Sequence, residues 1–117
     1  MSFGEAISVC FSKYATFTGR AARPEYWYWV LFTVVASLVF VVIEVSGPVD
    51  AGRALDAIFN LATIIPSIAV AARRLHDTDR SGWWQLLLFI PVIGWILLLI
   101  WLCQPGTPGA NRFGSPA

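Results

Sequence analysis

Three long stretches without a charged residue constrain the fold of this sequence more than any other feature. They cover residues 26–43, 57–72 and 81–110. A helix needs about 20 mostly apolar residues to cross the roughly 30 Å hydrocarbon core of a bilayer. Adjusted at their ends to this length, the stretches predict three transmembrane helices, at residues 26–45, 54–72 and 83–103.

The middle segment is the least regular of the three. It contains Asn60 and Pro66, and a proline removes one backbone hydrogen bond from a helix. Neighbouring groups can satisfy the freed carbonyl in a membrane protein, so we predict a spanning helix here too. A re-entrant or buried helix stays open as the alternative for this segment.

The composition also favours a membrane protein. Of the 117 residues, 57% are hydrophobic and 13% are charged, whereas a typical soluble domain is about 25% charged. The net charge of +1 excludes a basic nucleic-acid-binding tail. We therefore predict an all-α integral membrane protein that forms one membrane domain over residues 1–117 and has no nucleic-acid partner.

The first 23 residues have an amphipathic pattern. Apolar side chains recur at the three- and four-residue spacing of one helical face, at Phe3, Ile7, Cys10, Phe11, Tyr14 and Phe17. Such a segment is typical of a helix that lies in the membrane interface. The alternative is a helix packed on the cytoplasmic ends of the spanning helices.

The basic residues predict the orientation in the membrane. Six of the eight lie on one side of the predicted spans, at Lys13, Arg20, Arg23, Arg73, Arg74 and Arg80. Arg53 and Arg112 fall on the other side. Because cytoplasmic flanks carry the excess of Lys and Arg, we expect the N-terminus in the cytoplasm. The C-terminus, in a polar tail over residues 104–117, is then expected outside.

Polar residues form a stripe on each of the first two predicted spans. The members share one face of their helix at spacings of three and four residues, and they are Thr33, Ser37, Asn60, Thr63 and Ser67. We interpret them as a candidate interhelical polar stripe, since such groups stabilise helix pairs in membranes. The alternative is a solute or proton path.

Residues 73–84 contain the densest group of charged side chains. His76, Asp77 and Asp79 offer metal-ligand chemistry, but no second ligand cluster accompanies them. A single histidine without a paired nucleophile does not make a catalytic site. We therefore predict no enzyme activity, no metal and no cofactor, and favour a turn at the membrane surface in which basic and acidic side chains pair.

These charges belong to a candidate interaction or structural layer. We predict that the loop pairs with the flank of the first span in one ion-paired layer. Its members are Arg20, Arg23, Glu25, Arg73, Arg74, His76, Asp77 and Arg80.

Several short blocks of the sequence resemble a known family. The blocks are residues 17–20 with Arg23, Glu25, Tyr26 and Trp27, then 73–77, 80–84, and Gly106 and Gly109 with 111–114. They are similar to the small bacterial inner-membrane proteins grouped as domain of unknown function 805, the YhaH/YhaI-like proteins. The resemblance implies a location in the bacterial plasma (inner) membrane and implies no activity. Asp79 stands where the family usually has a glycine, which bears on whether a tight turn forms there.

The leading functional hypothesis is a non-enzymatic, multi-pass plasma-membrane protein. It would use the cytoplasmic Arg/Asp/His layer to bind a membrane-protein partner, another copy of itself as a homo-oligomer, or the anionic headgroups of the lipid bilayer. The alternative is a subunit of a small oligomeric transporter or channel, with the polar stripe exposed to water.

Overall fold

All regular elements in the described part of the chain are helices, which confirms the all-α prediction there. The computed structural model describes residues 2–47 and 49–115. The elements are α1 (Phe3–Ser12), α2 (Arg23–Ser46), α3 (Val49–Asp77), a 3₁₀ segment (Gly82–Phe89) and α4 (Ile93–Cys103).

The two long helices form an antiparallel pair. With a rise of 1.5 Å per residue, the 24 residues of α2 span about 36 Å and the 29 residues of α3 about 44 Å. Phe59 of α3 packs against Phe32 and Phe40 of α2, with ring centroids 5.7 and 5.5 Å apart. Both helices are therefore long enough to cross a bilayer.

The exposure of α2 and α3 differs from that of helices in a soluble core. Their most apolar 18-residue windows have mean hydropathies of 2.3 and 1.8, yet only 6% and 22% of those windows are buried inside the chain. Apolar surface of this extent needs an apolar surrounding. By length and composition, α2 and α3 could therefore both cross a membrane.

Pro66 lies inside α3 without interrupting it. Because proline has no N–H, the carbonyl of Ala62 lacks its usual helical partner. The Tyr14 hydroxyl donates a hydrogen bond of 2.5 Å to that carbonyl. The helix therefore continues through the proline, and the contact ties the segment after α1 to the middle of α3.

Helix α1 is shorter than the predicted amphipathic segment over residues 1–23, and it packs on α2. Ser2 caps it by accepting a hydrogen bond from the Glu5 N–H. The Phe11 ring lies 5.2 Å from the Trp29 ring in an edge-to-face arrangement. In the structure, α1 therefore packs along the first half of α2.

The prediction of one spanning helix over residues 83–103 is wrong. The 3₁₀ segment and α4 run back along each other, so that the rings of Trp84 and Trp101 lie 5.5 Å apart. The Trp95 indole donates to the Leu88 carbonyl at 2.9 Å. Eleven residues of α4 cover about 17 Å, roughly half of the hydrocarbon core.

The break in this segment has a local cause. Pro91 disfavours a helical conformation for the residue before it, and the 3₁₀ segment ends there. Val92 then adopts a γ-turn, with φ of 65° and ψ of −69°, and the Ile93 N–H donates to the Pro91 carbonyl at 2.8 Å. Gly94 packs against the Leu87 backbone with no room for a side chain. Together these residues reverse the chain into a hairpin.

The hairpin changes the predicted topology. It returns the chain to the end of the α2–α3 pair where α3 finishes, and the Thr107 N–H there donates to the Asp77 carbonyl at 2.7 Å. The tail therefore lies at the same end as residues 19–25. The expected tail at the opposite end from the N-terminal flank is not what the described residues show, because residues 83–103 form a hairpin and not one helix.

Candidate functional site

A buried carboxylate, that of Asp77, lies at the centre of the charged end of the molecule. Its Oδ1 is 2.8 Å from Nε of Arg20 and its Oδ2 is 2.7 Å from Nη1 of Arg74. The two guanidinium groups are 1% and 0% exposed. A buried charge is stable only when paired and hydrogen-bonded, so each member of this triad depends on the others.

Backbone carbonyls of the tail and of α4 satisfy the remaining donors of the two arginines. Arg20 donates to the carbonyls of Thr107 at 2.6 Å and Gly109 at 2.7 Å. Arg74 donates to the carbonyl of Leu102 at 3.0 Å and to that of Gln104. The end of α4 and the tail thus close over the charges and exclude water from them.

Glu25 and Arg73 form a second buried pair beside the triad. Their Oε1 and Nη1 atoms are 2.5 Å apart, and the side chains are 3% and 0% exposed. Within residues 2–47 and 49–115, Nε and Nη2 of Arg73 have no hydrogen-bond partner. The Arg73 carbonyl accepts from the Ala21 N–H at 2.9 Å, so the pair also joins the N-terminal flank to α3.

Cys10 lies against this second pair. Burial of the thiol, together with the nearby negative charge of Glu25, raises the pKa of Cys10 to about 11. The side chain is therefore a protonated thiol at neutral pH and acts as a small apolar packing residue.

The imidazole of His76 holds the N-terminal flank and the tail together. Its Nδ1 is 2.9 Å from the Gly19 carbonyl oxygen. Because a carbonyl only accepts, Nδ1 is assigned the proton. The ring stacks on Phe113 with parallel planes and centroids 4.0 Å apart, and the Asn111 amide donates to the His76 carbonyl at 2.9 Å.

A tight turn follows α3. Asp79 adopts a left-handed backbone conformation with φ of 61°, which aspartate tolerates better than most residues. Its exposed side chain pairs with Arg112 at 3.2 Å. The tight turn that the resemblance put in question therefore forms with aspartate at this position.

The structure brings together six of the eight residues predicted for the layer, and it buries them. They are Arg20, Glu25, Arg73, Arg74, His76 and Asp77. Arg23 is outside this group, since it is exposed and donates to the Cys103 carbonyl at 3.4 Å. Arg80 lies at the edge, 4.6 Å from the Trp101 ring. We call the six buried residues the charged layer.

The sequence reasoning missed the tail residues that complete the charged layer. Thr107, Asn111 and Phe113 contact it directly, although a polar tail gives no hydropathy signal for such contacts. The one indication in the sequence that the tail matters is the block around residues 106–114, which belongs to the family resemblance. Among the described residues, no group of three His, Cys, Asp or Glu side chains is arranged to hold a metal ion.

The five residues of the polar stripe line one open groove between α2 and α3, with a volume of about 510 Å³. Thr33 and Thr63 donate to carbonyls of their own helices. Ser67 accepts a hydrogen bond of 2.9 Å from the Trp29 indole. Asn60 is exposed and donates to Asp56 at 3.3 Å. We call this feature the polar groove.

A family model described as protein of unknown function (DUF805) matches residues 14–115. The chain belongs to this family. Within DUF805, the inner membrane protein YhaI of Escherichia coli K12 is 45% identical over 88% of this chain and 86% of its own length. The inner membrane protein YhaH of the same strain is 45% identical over 87% of both chains. No solved structure matches the chain.

The DUF805 match covers both the charged layer and the tail that closes it. A third relative, the uncharacterized protein YiiR of Escherichia coli K12, is 32% identical over 78% of this chain and 60% of its own length. The names of YhaI and YhaH agree with the predicted membrane location, as do the two long apolar helices of this DUF805 chain.

Gly106 gives a direct test of how tightly the tail closes on the charged layer. A Cβ at this position would overlap the carboxylate of Asp77. We expect Gly106→Ala to lower the free energy of unfolding by about 1–3 kcal/mol, the usual cost of overpacking. Thermal unfolding in detergent, followed by tryptophan fluorescence, measures the change.

Gly4→Ala is the matched control for Gly106→Ala. A Cβ at Gly4 meets nothing within 4 Å, and alanine is the better helix former by about 1 kcal/mol. The control is expected to leave stability unchanged or slightly higher. A loss of stability in Gly4→Ala as large as that in Gly106→Ala would contradict a specific contact between the tail and Asp77.

Proposed function

We propose that this chain is a non-enzymatic inner-membrane protein that pairs with a second copy of itself through the polar groove. The observation that carries the proposal is the exposed amide of Asn60, a strongly polar group on the outer surface of a spanning helix. A role for the charged layer in recognition is less well supported, because its six members are buried and bonded within the chain.

The position of Asn60 along α3 is the reason why we infer a hydrogen-bonding partner for its side chain. At 1.5 Å per residue, it lies about 20 Å along α3 from Arg73 and about 17 Å from the first residue of that helix. The nearest charged residue, Asp56, is one helical turn, about 6 Å, from Asn60, and both lie within the predicted span over residues 54–72. The amide nitrogen donates to Asp56, which leaves its second hydrogen and the amide oxygen available, and lipid chains offer no hydrogen bonds to them.

A second copy satisfies the groups in the polar groove better than a charged ligand would. An asparagine amide both donates and accepts, so two copies related by a twofold axis can bond reciprocally through Asn60. Side-chain hydrogen bonds between membrane helices contribute about 0.6 kcal/mol on average and up to about 2 kcal/mol. The hydroxyls of Ser37 and Ser67 on either side of the amide are also self-complementary.

Disulfide cross-linking in native membranes tests the pairing. In a background without the native cysteines (Cys10→Ala, Cys103→Ser), Ile64→Cys, which lines the polar groove and keeps the Asn60 amide, is expected to form a covalent dimer on oxidation. The matched control is Leu61→Cys, which is 73% exposed and does not line the polar groove. Equal cross-linking at the two positions, or none at Ile64→Cys, would contradict pairing through the groove.

The second candidate is a subunit of an oligomeric transporter or channel, since the same polar lining suits a water path. A membrane-impermeant thiol reagent distinguishes the two functions. Labelling of both Ser37→Cys and Asn60→Cys without dimer formation favours the water path. Protection of both positions together with dimer formation favours pairing.

A further inference from the structure

The hairpin over residues 82–103 has the length of an element that enters one leaflet of a bilayer. Its two legs are nearly equal, since the eight residues of the 3₁₀ segment rise about 16 Å and α4 covers about 17 Å. Each leg reaches about the middle of a hydrocarbon core of roughly 30 Å. We propose that the hairpin makes this chain a membrane wedge, which prefers bilayers whose leaflet on the side of the charged layer is convex.

The hairpin runs from the charged end of the molecule along the apolar part of α3. Its first leg begins against Ala72, and the Gln85 amide then donates to the Ile68 carbonyl at 3.3 Å, four residues farther from the charged layer. The second leg returns to Leu102, whose carbonyl accepts from Arg74 at 3.0 Å. The tip is therefore the part of the hairpin that lies farthest from the charged layer.

The tip exposes large apolar side chains. Phe89, Val92 and Ile93 are 80%, 60% and 67% exposed, and no charged residue occurs between positions 81 and 110. Contiguous apolar surface of this kind needs an apolar surrounding. In a chain whose relatives are inner membrane proteins, the acyl chains of the lipids supply it.

The backbone of the chain reversal is suited to a position among acyl chains. The carbonyls of residues 90–92 accept from N–H groups two or four residues later, those of Ile93, Gly94 and Ile96. Pro91 contributes no N–H, and the Trp95 indole occupies the Leu88 carbonyl. Because lipid offers no hydrogen bonds, polar backbone groups at this depth must be bonded inside the protein, and these carbonyls are.

The base of the hairpin carries side chains typical of the membrane surface. Trp84 and Trp101, one on each leg, pack together with ring centroids 5.5 Å apart. The Arg80 guanidinium lies over the Trp101 ring at 4.6 Å. Tryptophan and arginine are characteristic of the headgroup level, so the base is anchored at the surface while the tip lies in the hydrocarbon.

The additional elements thicken one half of the helix pair. Helix α1 packs on Tyr28 and Trp29 in the first half of α2, and the hairpin bonds to Ile68 in the second half of α3. In the other half of the pair, five apolar side chains are more than half exposed, namely Leu38, Val42, Val45, Ile58 and Leu61. At a diameter of about 10 Å per helix, the two legs of the hairpin add about 160 Å² to the cross-section on the side of the charged layer.

Extra cross-section in one leaflet favours a curved membrane. The leaflet that contains the hairpin must expand relative to the opposite leaflet, which strains a flat bilayer. Bending relieves the strain when the expanded leaflet is on the convex side, and elements inserted into one leaflet are sensitive to curvature. The partner that fits the wedge is therefore a lipid bilayer curved in this direction.

Membrane tubes pulled from giant vesicles measure the preference for both orientations of the full chain. The vesicles contain phosphatidylcholine and phosphatidylglycerol, and a fluorophore is attached to Cys103, the exposed cysteine at the charged end. A membrane-impermeant quencher added outside removes the signal of molecules whose charged end faces outward, so the two orientations are counted separately. We expect outward-facing molecules to be several-fold denser in the tube than in the flat membrane, and inward-facing molecules to be depleted from the tube.

Phe89→Lys tests whether the tip produces the preference. A lysine near the bilayer centre costs about 2.5–3.5 kcal/mol, so the tip is expected to leave the hydrocarbon and the difference between the orientations to fall. Val45→Lys is the matched control, because the two positions are 80% and 81% exposed. Val45 is one residue from the end of α2, where a lysine can reach the headgroups, so this variant should sort as the native chain does.

A depth measurement tests the insertion even if Phe89→Lys does not fold. With the native cysteines replaced, a fluorophore at Ile90→Cys is expected to be quenched more strongly by nitroxides near the ends of the acyl chains than by nitroxides on the headgroups. Stronger quenching from the headgroups would overturn the insertion, and equal tube densities for the two orientations would overturn the wedge. Both results are expected to persist in Asn60→Leu, which removes the amide proposed for self-pairing, so the wedge and the pairing are tested independently.

Discussion

Replacing Asp77 with asparagine is expected to unfold the chain or to lower its free energy of unfolding by about 3–5 kcal/mol, the cost of breaking a buried ion pair from one side. Arg20 and Arg74 both pair with this carboxylate, and neither is accessible to water. The variant would leave two buried guanidinium groups without a counter-charge. Unfolding in detergent by denaturant, followed by tryptophan fluorescence, measures the loss.

Asp79→Asn is the matched control, since it makes the same chemical change two residues along. The pair of Asp79 and Arg112 is 43% and 66% exposed, and exposed ion pairs contribute at most about 1 kcal/mol. Asparagine also tolerates the left-handed backbone at this position. Similar losses in the two variants would mean that the triad around Asp77 does not stabilise the fold.

A reporter fused after Ser115 is expected to lie on the same side of the membrane as the N-terminal flank, namely in the cytoplasm. The hairpin returns the chain to the charged end, which then carries seven of the eight basic residues, with Arg53 alone at the other end. The excess of basic residues predicts a cytoplasmic location for that end. A C-terminal fluorescent protein, which matures only in the cytoplasm, should therefore be fully fluorescent.

Alkaline phosphatase provides the complementary measurement, since it is active only outside the cytoplasm. Inserted after Gly47, between α2 and α3, it is expected to be active, and fused after Ser115 it is expected to be inactive. The difference is all-or-none, because no intermediate location exists. Activity at Ser115 would mean that residues 83–103 cross the bilayer in the membrane.

The long helices were predictable because hydropathy and length determine them. The segments 26–45 and 54–72 lie inside α2 and α3, and the physical requirement of about 20 apolar residues applies directly to them. Residues 83–103 satisfy the same requirement but fold as a hairpin. Average hydropathy does not register a chain reversal, and a proline such as Pro91 is equally compatible with a kink within one continuous helix.

The pairing of charges was predictable in part. Opposite charges near the same membrane surface indicated that Glu25 and Asp77 pair with arginines, and both do. Their burial was not predictable, because charged side chains near a membrane surface are usually solvated. What buries them is the tail, whose carbonyls at Thr107 and Gly109 accept from Arg20, and backbone acceptors have no sequence signature.

The closure of the charged layer by the tail has a consequence for biosynthesis. Arg20 is made early, yet its carbonyl partners at Thr107, Gly109 and Gly114 lie 87, 89 and 94 residues later in the chain. Until those residues leave the ribosome, the guanidinium group has no enclosed site and must stay at the hydrated surface. The two long helices can insert during translation, but the native core of charges is assembled only after the last residues of the tail have been made.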